Sequence, residues 1–200
     1  MSPPDRPGLS RGGAVALAVA AMAAGAGGVA LGAAAEPKEV DTRATLARTS
    51  AAGAVLARAR VESPDTYREA RQAGARIAAT PDRRSFYVKS PAGARGGKAI
   101  VTFHGYLSTA FDGFAQFREE AARRGYMLIA VQWRLGRTAR DSYTPRQMYA
   151  QARALLRAPG VARGDAILHG YSSAAPRVYG VAAVDRRASR IFGLAIGDAG

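Results

Sequence analysis

Cysteine is absent from the 200-residue sequence. The chain therefore forms no disulfide, binds no metal through thiolates and uses no cysteine nucleophile. This absence does not indicate a compartment, because exported proteins do not require disulfides. Histidine is also scarce, with only His104 and His169 present. We predict no cofactor and no metal site.

Charged residues are missing from residues 12–35, which consist mostly of Ala, Gly, Val and Leu. Arg6 and Arg11 precede this run, and three alanines at 33–35 end it before Glu36. A positive flank, an apolar run and a small-residue cleavage site predict a signal peptide over residues 1–35, and therefore export to the periplasm or the extracellular space. An uncleaved membrane anchor is the alternative, since the run is long enough to span a bilayer. In that case the chain would meet a membrane only through residues 12–35.

Long runs of basic residues are missing as well, although the net charge is +14. Basic residues occur singly or in pairs, such as 83–84, 123–124 and 186–187, and aromatic residues do not alternate with them. A nucleic-acid platform usually shows such runs or such alternation. The composition predicts an arginine-rich solvated surface and no nucleic-acid partner. It leaves open a weak, salt-sensitive attraction to anionic polymers.

An alternation of strands and helices is present from residue 81 onward. Apolar or alternating runs predict strands at 85–89, 98–103, 126–131, 166–169 and 191–196. Helical patterns lie between them, and one begins at the capping sequence Thr144-Pro145-Arg146-Gln147. The predicted fold is α/β, a mostly parallel sheet with helices on both faces. We assign residues 81–200 to this domain, and the Ala- and Arg-rich residues 36–80 to an N-terminal extension with one or two short helices.

Residues 170–174, Gly-Tyr-Ser-Ser-Ala, stand where a predicted strand turns into a helix. They match G-x-S-x-A, a variant of the nucleophile elbow G-x-S-x-G. Gly170 and Ala174 are small enough for such a crowded turn, which would expose the Ser172 hydroxyl beside the N–H groups that begin the helix. By themselves the five residues fit an ordinary helix cap at Ser172 better. The strand before them and the helix after them favour the elbow.

A second motif, His104-Gly105-Tyr106, closes the strand at 98–103. With the elbow on the next strand but one, the arrangement over residues 81–200 resembles the α/β-hydrolase superfamily. The resemblance implies that Ser172 is the nucleophile and that the backbone N–H groups of Tyr106 and Ser173 form the oxyanion hole. The export signal and the residues HGYSS are similar to secreted esterases, including depolymerases of polyesters. They imply a small-molecule or polymeric ester as substrate.

Gln132 and Trp133 follow the strand at 126–131. In parallel sheets, ligands gather at the edge formed by the carboxyl ends of the strands. A pocket-lining role and packing at the sheet edge both fit these two residues.

A general base is the missing component. A serine nucleophile needs a base to accept its proton and an acid group to orient that base. His169 lies on the strand three residues before Ser172 and does not reach around the turn, and the resemblance gives His104 a structural role. Asp198 ends the strand after the elbow helix and is either the triad acid or a turn residue. We predict that residues 1–200 are the N-terminal part of a hydrolase, inactive alone, with the base further downstream.

A hypothesis from another functional class is a non-catalytic exported α/β module that binds anionic surface polymers through its arginine-rich face. This hypothesis explains the missing base without truncation. It does not explain why an elbow and a His-Gly strand end occur at hydrolase spacing. The sequence indicates no particular oligomeric state.

Overall fold

The computed structural model describes residues 50–91, 97–157 and 159–200. The predicted signal peptide, and the predicted extension up to residue 49, lie outside the described residues. The described strands are β1 (Arg76–Ala79), β2 (Phe86–Lys89), β3 (Ala99–Phe103), β4 (Met127–Val131), β5 (Ala166–Tyr171) and β6 (Phe192–Asp198). The described helices are α1 (Ala51–Glu62), α2 (Pro64–Gln72), α3 (Ala110–Arg123), α4 (Pro145–Arg157) and α5 (Ala175–Arg187), with a 3-10 turn at Ser172–Ala174. None of these helices has the length and apolar character needed to cross a membrane.

The strands form one sheet in the order β1-β2-β4-β3-β5-β6. Strand β3 pairs in parallel with both β4 and β5, and β5 pairs in parallel with β6. Strand β2 runs antiparallel to β1 and to β4. The predicted mostly parallel sheet is confirmed, and its parallel strands bring their carboxyl ends to one edge.

Helices cover both faces of the sheet, as predicted. In β4 all five residues are buried, and they alternate between two core clusters. Met127, Ile129 and Val131 pack in the cluster that contains α4 and α5. Leu128 and Ala130 pack in the cluster that contains α1, α2 and α3. A central strand buried on both sides explains the near-continuous apolar run at 126–131.

Residues 51–79, which the sequence analysis assigned to an extension, are part of the same sheet and core. Strand β1 pairs with β2, with Ile77 opposite Val88. Val55 and Ala59 of α1 and Ala70 of α2 belong to the core cluster around α3. The short, alanine-rich strand carries too few large apolar residues for its period to stand out in the sequence.

The start of α4 follows the predicted capping box. The Thr144 N–H donates to Gln147 Oε1 at 2.9 Å, and the Gln147 N–H donates to Thr144 Oγ1 at 3.3 Å. Two otherwise unpaired N–H groups of the first turn are thereby satisfied. The buried side of the helix includes Met148, Ala152 and Leu156, whereas Leu155 is only partly buried.

Candidate active site

Ser172 lies at the junction of β5 and the helical segment that leads into α5. Its φ angle is +51°, in the left-handed region that non-glycine residues rarely occupy. Such backbone strain persists only where the surroundings enforce it, and it is concentrated at functional sites. The 3-10 turn Ser172–Ala174 follows at once, so the chain reverses from strand to helix within one residue.

The small residues around Ser172 are required by contacts across this turn. A Cβ atom placed on Gly170 would lie 2.5 Å from Val178 Cγ1 and 2.8 Å from the Ala174 carbonyl oxygen. Ala174 is itself fully buried. The turn is therefore closed tightly enough that glycine is needed at 170, while a methyl group fits at 174.

The His-Gly strand end and the elbow lie side by side. Strands β3 and β5 are neighbours in parallel register, with Phe103 opposite Gly170. Gly105 follows two residues later, and a Cβ atom placed on it would lie 3.2 Å from Ser172 Cβ and 3.0 Å from Tyr171 Cδ1. The backbone at Gly105 thus approaches the nucleophile candidate closely, which a larger residue would prevent.

The two predicted oxyanion donors are the backbone N–H groups of Tyr106 and Ser173. The Ser173 N–H belongs to the first turn after the strand, where N–H groups have no acceptor within the helix. The Tyr106 N–H directly follows Gly105 and donates to no acceptor among the described residues. The Tyr106 N–H follows Gly105, whose backbone packs against Ser172, and the role of the two N–H groups as oxyanion donors stays a prediction. Two such donors can stabilise negative charge that develops on a carbonyl oxygen.

His104 is buried and turned away from solvent. Its Nδ1–H donates to the Gly105 carbonyl oxygen at 2.8 Å, and its Nε2 has no partner among the described residues. Burial lowers the pKa of His104 to about 4, although the bond to Gly105 and the charge of Asp112 oppose this shift. The ring is therefore neutral at pH 7. Its backbone carbonyl accepts a hydrogen bond from Trp133 Nε1 at 2.7 Å, which anchors the strand end.

The side chain of His169 is buried, and its contacts are with β3 and α3. Its Nδ1 hydrogen bonds with Thr102 Oγ1 on β3 at 2.9 Å, and its ring packs edge-on against Phe117 of α3 with centroids 4.6 Å apart. Burial lowers its pKa to about 4, with a smaller opposing effect from Asp198. Neither histidine hydrogen bonds to Ser172 among the described residues.

The lowered pKa values predict a loss of stability in mild acid. In the unfolded chain both histidines bind protons as the pH falls below about 6.5. In the folded chain they remain neutral until about pH 4. The contribution of the two neutral histidines to the free energy of unfolding is therefore complete above about pH 6.5. It is lost as the pH falls toward 4, by up to about 3 kcal/mol for each histidine. Urea unfolding of the wild type and of His169→Asn at both ends of this range measures the difference. An identical pH dependence in the two proteins would contradict the assignment for His169.

Asp198, the candidate acid, ends β6 opposite Tyr171 of the elbow strand. Its Oδ1 accepts a hydrogen bond from the Gly200 N–H at 3.1 Å. The residue thus forms a turn and also lies at the same sheet edge as Ser172. Its role as the triad acid stays a prediction.

The comparisons with known proteins return structural neighbours only. No protein-family model and no curated protein matches the sequence. A hyperthermophilic esterase from the archaeon Pyrobaculum calidifontis is similar over 69% of this chain and 50% of its own, with 17% identity and a TM-score of 0.49. An epoxide hydrolase from an endophytic Streptomyces (60% of this chain, 35% of its own, 20% identity, TM-score 0.46) and an esterase/lipase from an uncultured bacterium (56%, 39%, 21%, 0.45) are also similar. The chain spans half or less of the length of these three structures.

The arrangement of the central strands decides the fold type. Parallel strands run in the order β4-β3-β5-β6, Ser172 follows β5 at a strand–helix turn, and the neighbouring β3 ends in the His-Gly pair against Ser172. The chain has an α/β-hydrolase fold. The described part contains no group of three or more acidic or histidine side chains placed to hold a metal ion.

Beside the elbow of this α/β-hydrolase fold, Gln132 and Trp133 have different surroundings. Trp133 is buried in the core cluster with α4 and α5, so its side chain packs in the core. Gln132 is also buried, and its amide connects the Ala110 N–H with the Arg134 carbonyl oxygen, both at 2.9 Å. It lines a cavity of about 360 Å³ that Tyr106 and Arg134 also line. Both interpretations of Gln132 therefore hold.

Asp112 anchors the loop that carries Tyr106 and was missed in the sequence analysis. Its carboxylate accepts hydrogen bonds from the Thr109 N–H at 2.6 Å, and from the hydroxyls of Ser63 and Thr66 at 2.7 Å each. The first bond completes a capping box at the start of α3. The other two tie this loop to the junction of α1 and α2. The spacing of Thr109 and Asp112 was the available sequence signal.

Proposed function

We propose that the chain carries the nucleophile and the oxyanion hole of a serine hydrolase that cleaves carboxylic esters. The observation that carries the proposal is the positive φ angle of Ser172 at a strand–helix junction packed against Gly105. An ordinary helix cap has extended backbone angles and does not require this strain. The substrate would be a small-molecule or polymeric ester.

The proposed chemistry follows from these positions. Ser172 Oγ attacks the carbonyl carbon of the ester while a base takes its proton, and the carbonyl electron pair moves onto the oxygen. The N–H groups of Tyr106 and Ser173 donate hydrogen bonds to this oxyanion. When the carbonyl re-forms, the alcohol leaves with the proton from the base and an acyl-serine remains. Water then attacks the acyl carbon while the base takes its proton; the bond to Ser172 Oγ breaks, the serine recovers a proton from the base, and the carboxylic acid is released.

We propose that the base comes from outside these 200 residues. Both histidines of the chain are buried, neutral and engaged elsewhere, at Gly105 for His104 and at Thr102 for His169. Without a base, Ser172 is an ordinary alcohol with negligible alkoxide at neutral pH. Asp198 remains the candidate for the residue that orients the base.

A fluorophosphonate probe tests this assignment, because it labels serine nucleophiles that a base activates. Two proteins are compared: residues 36–200, and the same residues followed by their natural downstream sequence. We expect labelling of the longer protein at the peptide that contains Ser172, located by mass spectrometry, and little labelling of the shorter protein.

Each alternative result has a separate meaning. Labelling of the shorter protein at Ser172 would show that the base lies within these residues. Labelling of another serine would contradict the choice of nucleophile. No labelling of either protein would refute the hydrolase proposal and favour the polymer-binding module.

A further inference from the structure

The cavity that Tyr106 and Gln132 line is strongly basic. It has a volume of about 360 Å³, and its lining includes Arg58, Glu62, Tyr106, Gln132, Arg134 and Arg137. Three guanidinium groups thus share the cavity with one carboxylate. The Glu62 carboxylate pairs with Arg58 at 3.4 Å, so the charge of Arg134 and Arg137 is not balanced there.

Arg134 is the most constrained of the three arginines. Its exposure is only 7%, and no carboxylate of the described residues forms an ion pair with it. Its Nη2 donates to the Arg137 carbonyl oxygen at 3.2 Å, which is the only hydrogen bond of the guanidinium to a described residue. A guanidinium offers five N–H donors, so most of them remain available to a ligand. A buried charge usually has a charged partner, and here the cavity is where such a partner fits.

The guanidinium of Arg134 is held in place by Tyr106. It lies over the Tyr106 ring, 4.0 Å from the ring centroid, which is a favourable cation–π distance. Arg58 supports the backbone of the same segment by donating to the carbonyl oxygens of Leu135 and Arg134. These contacts hold the Arg134 guanidinium and its backbone segment in place.

The Arg134 guanidinium contacts a residue of the proposed active site. The side chain of Tyr106 contacts Arg134, while the backbone N–H of the same residue is the proposed oxyanion donor. Tyr106 therefore links Arg134 to the segment that carries the proposed oxyanion donor. We infer that the preferred substrates are esters that carry a second, anionic group, bound by Arg134 with Arg137 contributing positive charge. This inference rests on the proposed ester hydrolysis.

Binding of matched neutral and anionic esters tests the inference. The protein with its natural downstream sequence and with Ser172→Ala, which prevents turnover, is titrated with monoethyl glutarate and with ethyl pentanoate, whose acyl chains are equally long. Trp133 is the only tryptophan of the 200 residues, and the Arg134 guanidinium lies 5.9 Å from its ring. Residues 1–200 therefore contain one tryptophan whose fluorescence reports binding. Calorimetry measures the same affinities independently.

We expect monoethyl glutarate to bind about tenfold more tightly or better, since charge-assisted hydrogen bonds to a guanidinium are strong. Replacing Arg134 by Gln should remove this preference, with a loss of affinity that is much larger for monoethyl glutarate than for ethyl pentanoate. The matched control is Arg163→Gln, which makes the same charge change in an exposed loop before β5 and should keep the preference. Equal affinities for the two esters in the starting protein, or a preference that survives Arg134→Gln, would overturn the inference.

A second variant covers the case in which Arg134→Gln does not fold. Arg137 is exposed, so Arg137→Gln should leave the fold intact and weaken binding of the anionic ester only, by less than Arg134→Gln would. An unchanged preference in this variant would contradict the inference. Because the assay measures binding, failure of Ser172 as nucleophile and absence of an anion site give different results.

Discussion

Ester turnover by the full-length natural protein is expected to disappear when Ser172 is replaced by alanine. The value of kcat/KM for p-nitrophenyl butyrate should fall by roughly 10⁴-fold or more, since loss of a nucleophile leaves only the effect of the oxyanion donors and of binding. Circular dichroism should show an intact fold. The substitution also relieves little strain, because alanine at 172 keeps the same positive φ angle.

The neighbouring serine provides the comparison for this result. Ser173→Ala keeps the backbone N–H that the proposal uses, and it removes a hydroxyl that is buried without a hydrogen-bond partner in the described structure. We expect most of the activity to remain. An equal loss in both variants, or full activity in Ser172→Ala, would show that Ser172 is not the nucleophile.

The second large effect is expected at Gly170. A methyl group there would lie 2.5 Å from Val178 Cγ1 and 2.8 Å from the Ala174 carbonyl oxygen. The second contact is with backbone, so the turn has to open to relieve it. Gly170→Ala should lower the free energy of unfolding by about 3 kcal/mol, as overpacking of a closed core does, and urea denaturation measures this loss.

Gly113 is the matched glycine for that experiment. It lies within α3, and a Cβ atom there would meet Thr102 Cγ2 at 3.4 Å, an ordinary contact distance. Gly113→Ala should be neutral or stabilising by up to about 1 kcal/mol, because alanine favours a helix more than glycine does. If Gly170→Ala is as well tolerated as Gly113→Ala, the close packing of the elbow described above is wrong.

The sequence predicted the central part of the fold because its local signals agree with the tertiary structure. The apolar run at 126–131 became β4 because both of its faces are buried. Thr144 and Gln147 began a helix at the predicted residue because a capping box is a local interaction. The strands flanking the elbow are two residues longer than predicted at their carboxyl ends, where pairing rather than composition continues them.

The structure shows what local patterns did not reveal. Strand β1 is recognisable by its pairing with β2, since its own sequence, Arg-Ile-Ala-Ala, has one large apolar residue. The antiparallel pairing of β2 with β4 depends on segments far apart in the chain. Residue types alone do not indicate either contact.

Part of the candidate site could be predicted from the sequence and part could not. The spacing of Gly170, Ser172 and Ala174 was visible in the sequence, because a strand–turn–helix junction imposes small residues. The importance of Arg134 was not visible, because one arginine among many scattered ones shows neither its burial nor its position over Tyr106. An arginine indicates a ligand site only when its burial and its contacts are known.

The strand order also has a consequence for biosynthesis. Strand β3 is flanked by β4 and β5, both of which follow it in the chain. While a ribosome extends the polypeptide, one side of β3 therefore stays without a hydrogen-bonding neighbour until residues 166–171 have emerged. An open strand of this kind is prone to pair with other chains. The docking of β5 covers that side of β3 and at the same step carries Ser172 to Gly105, while the open side passes to β5 until β6 has emerged.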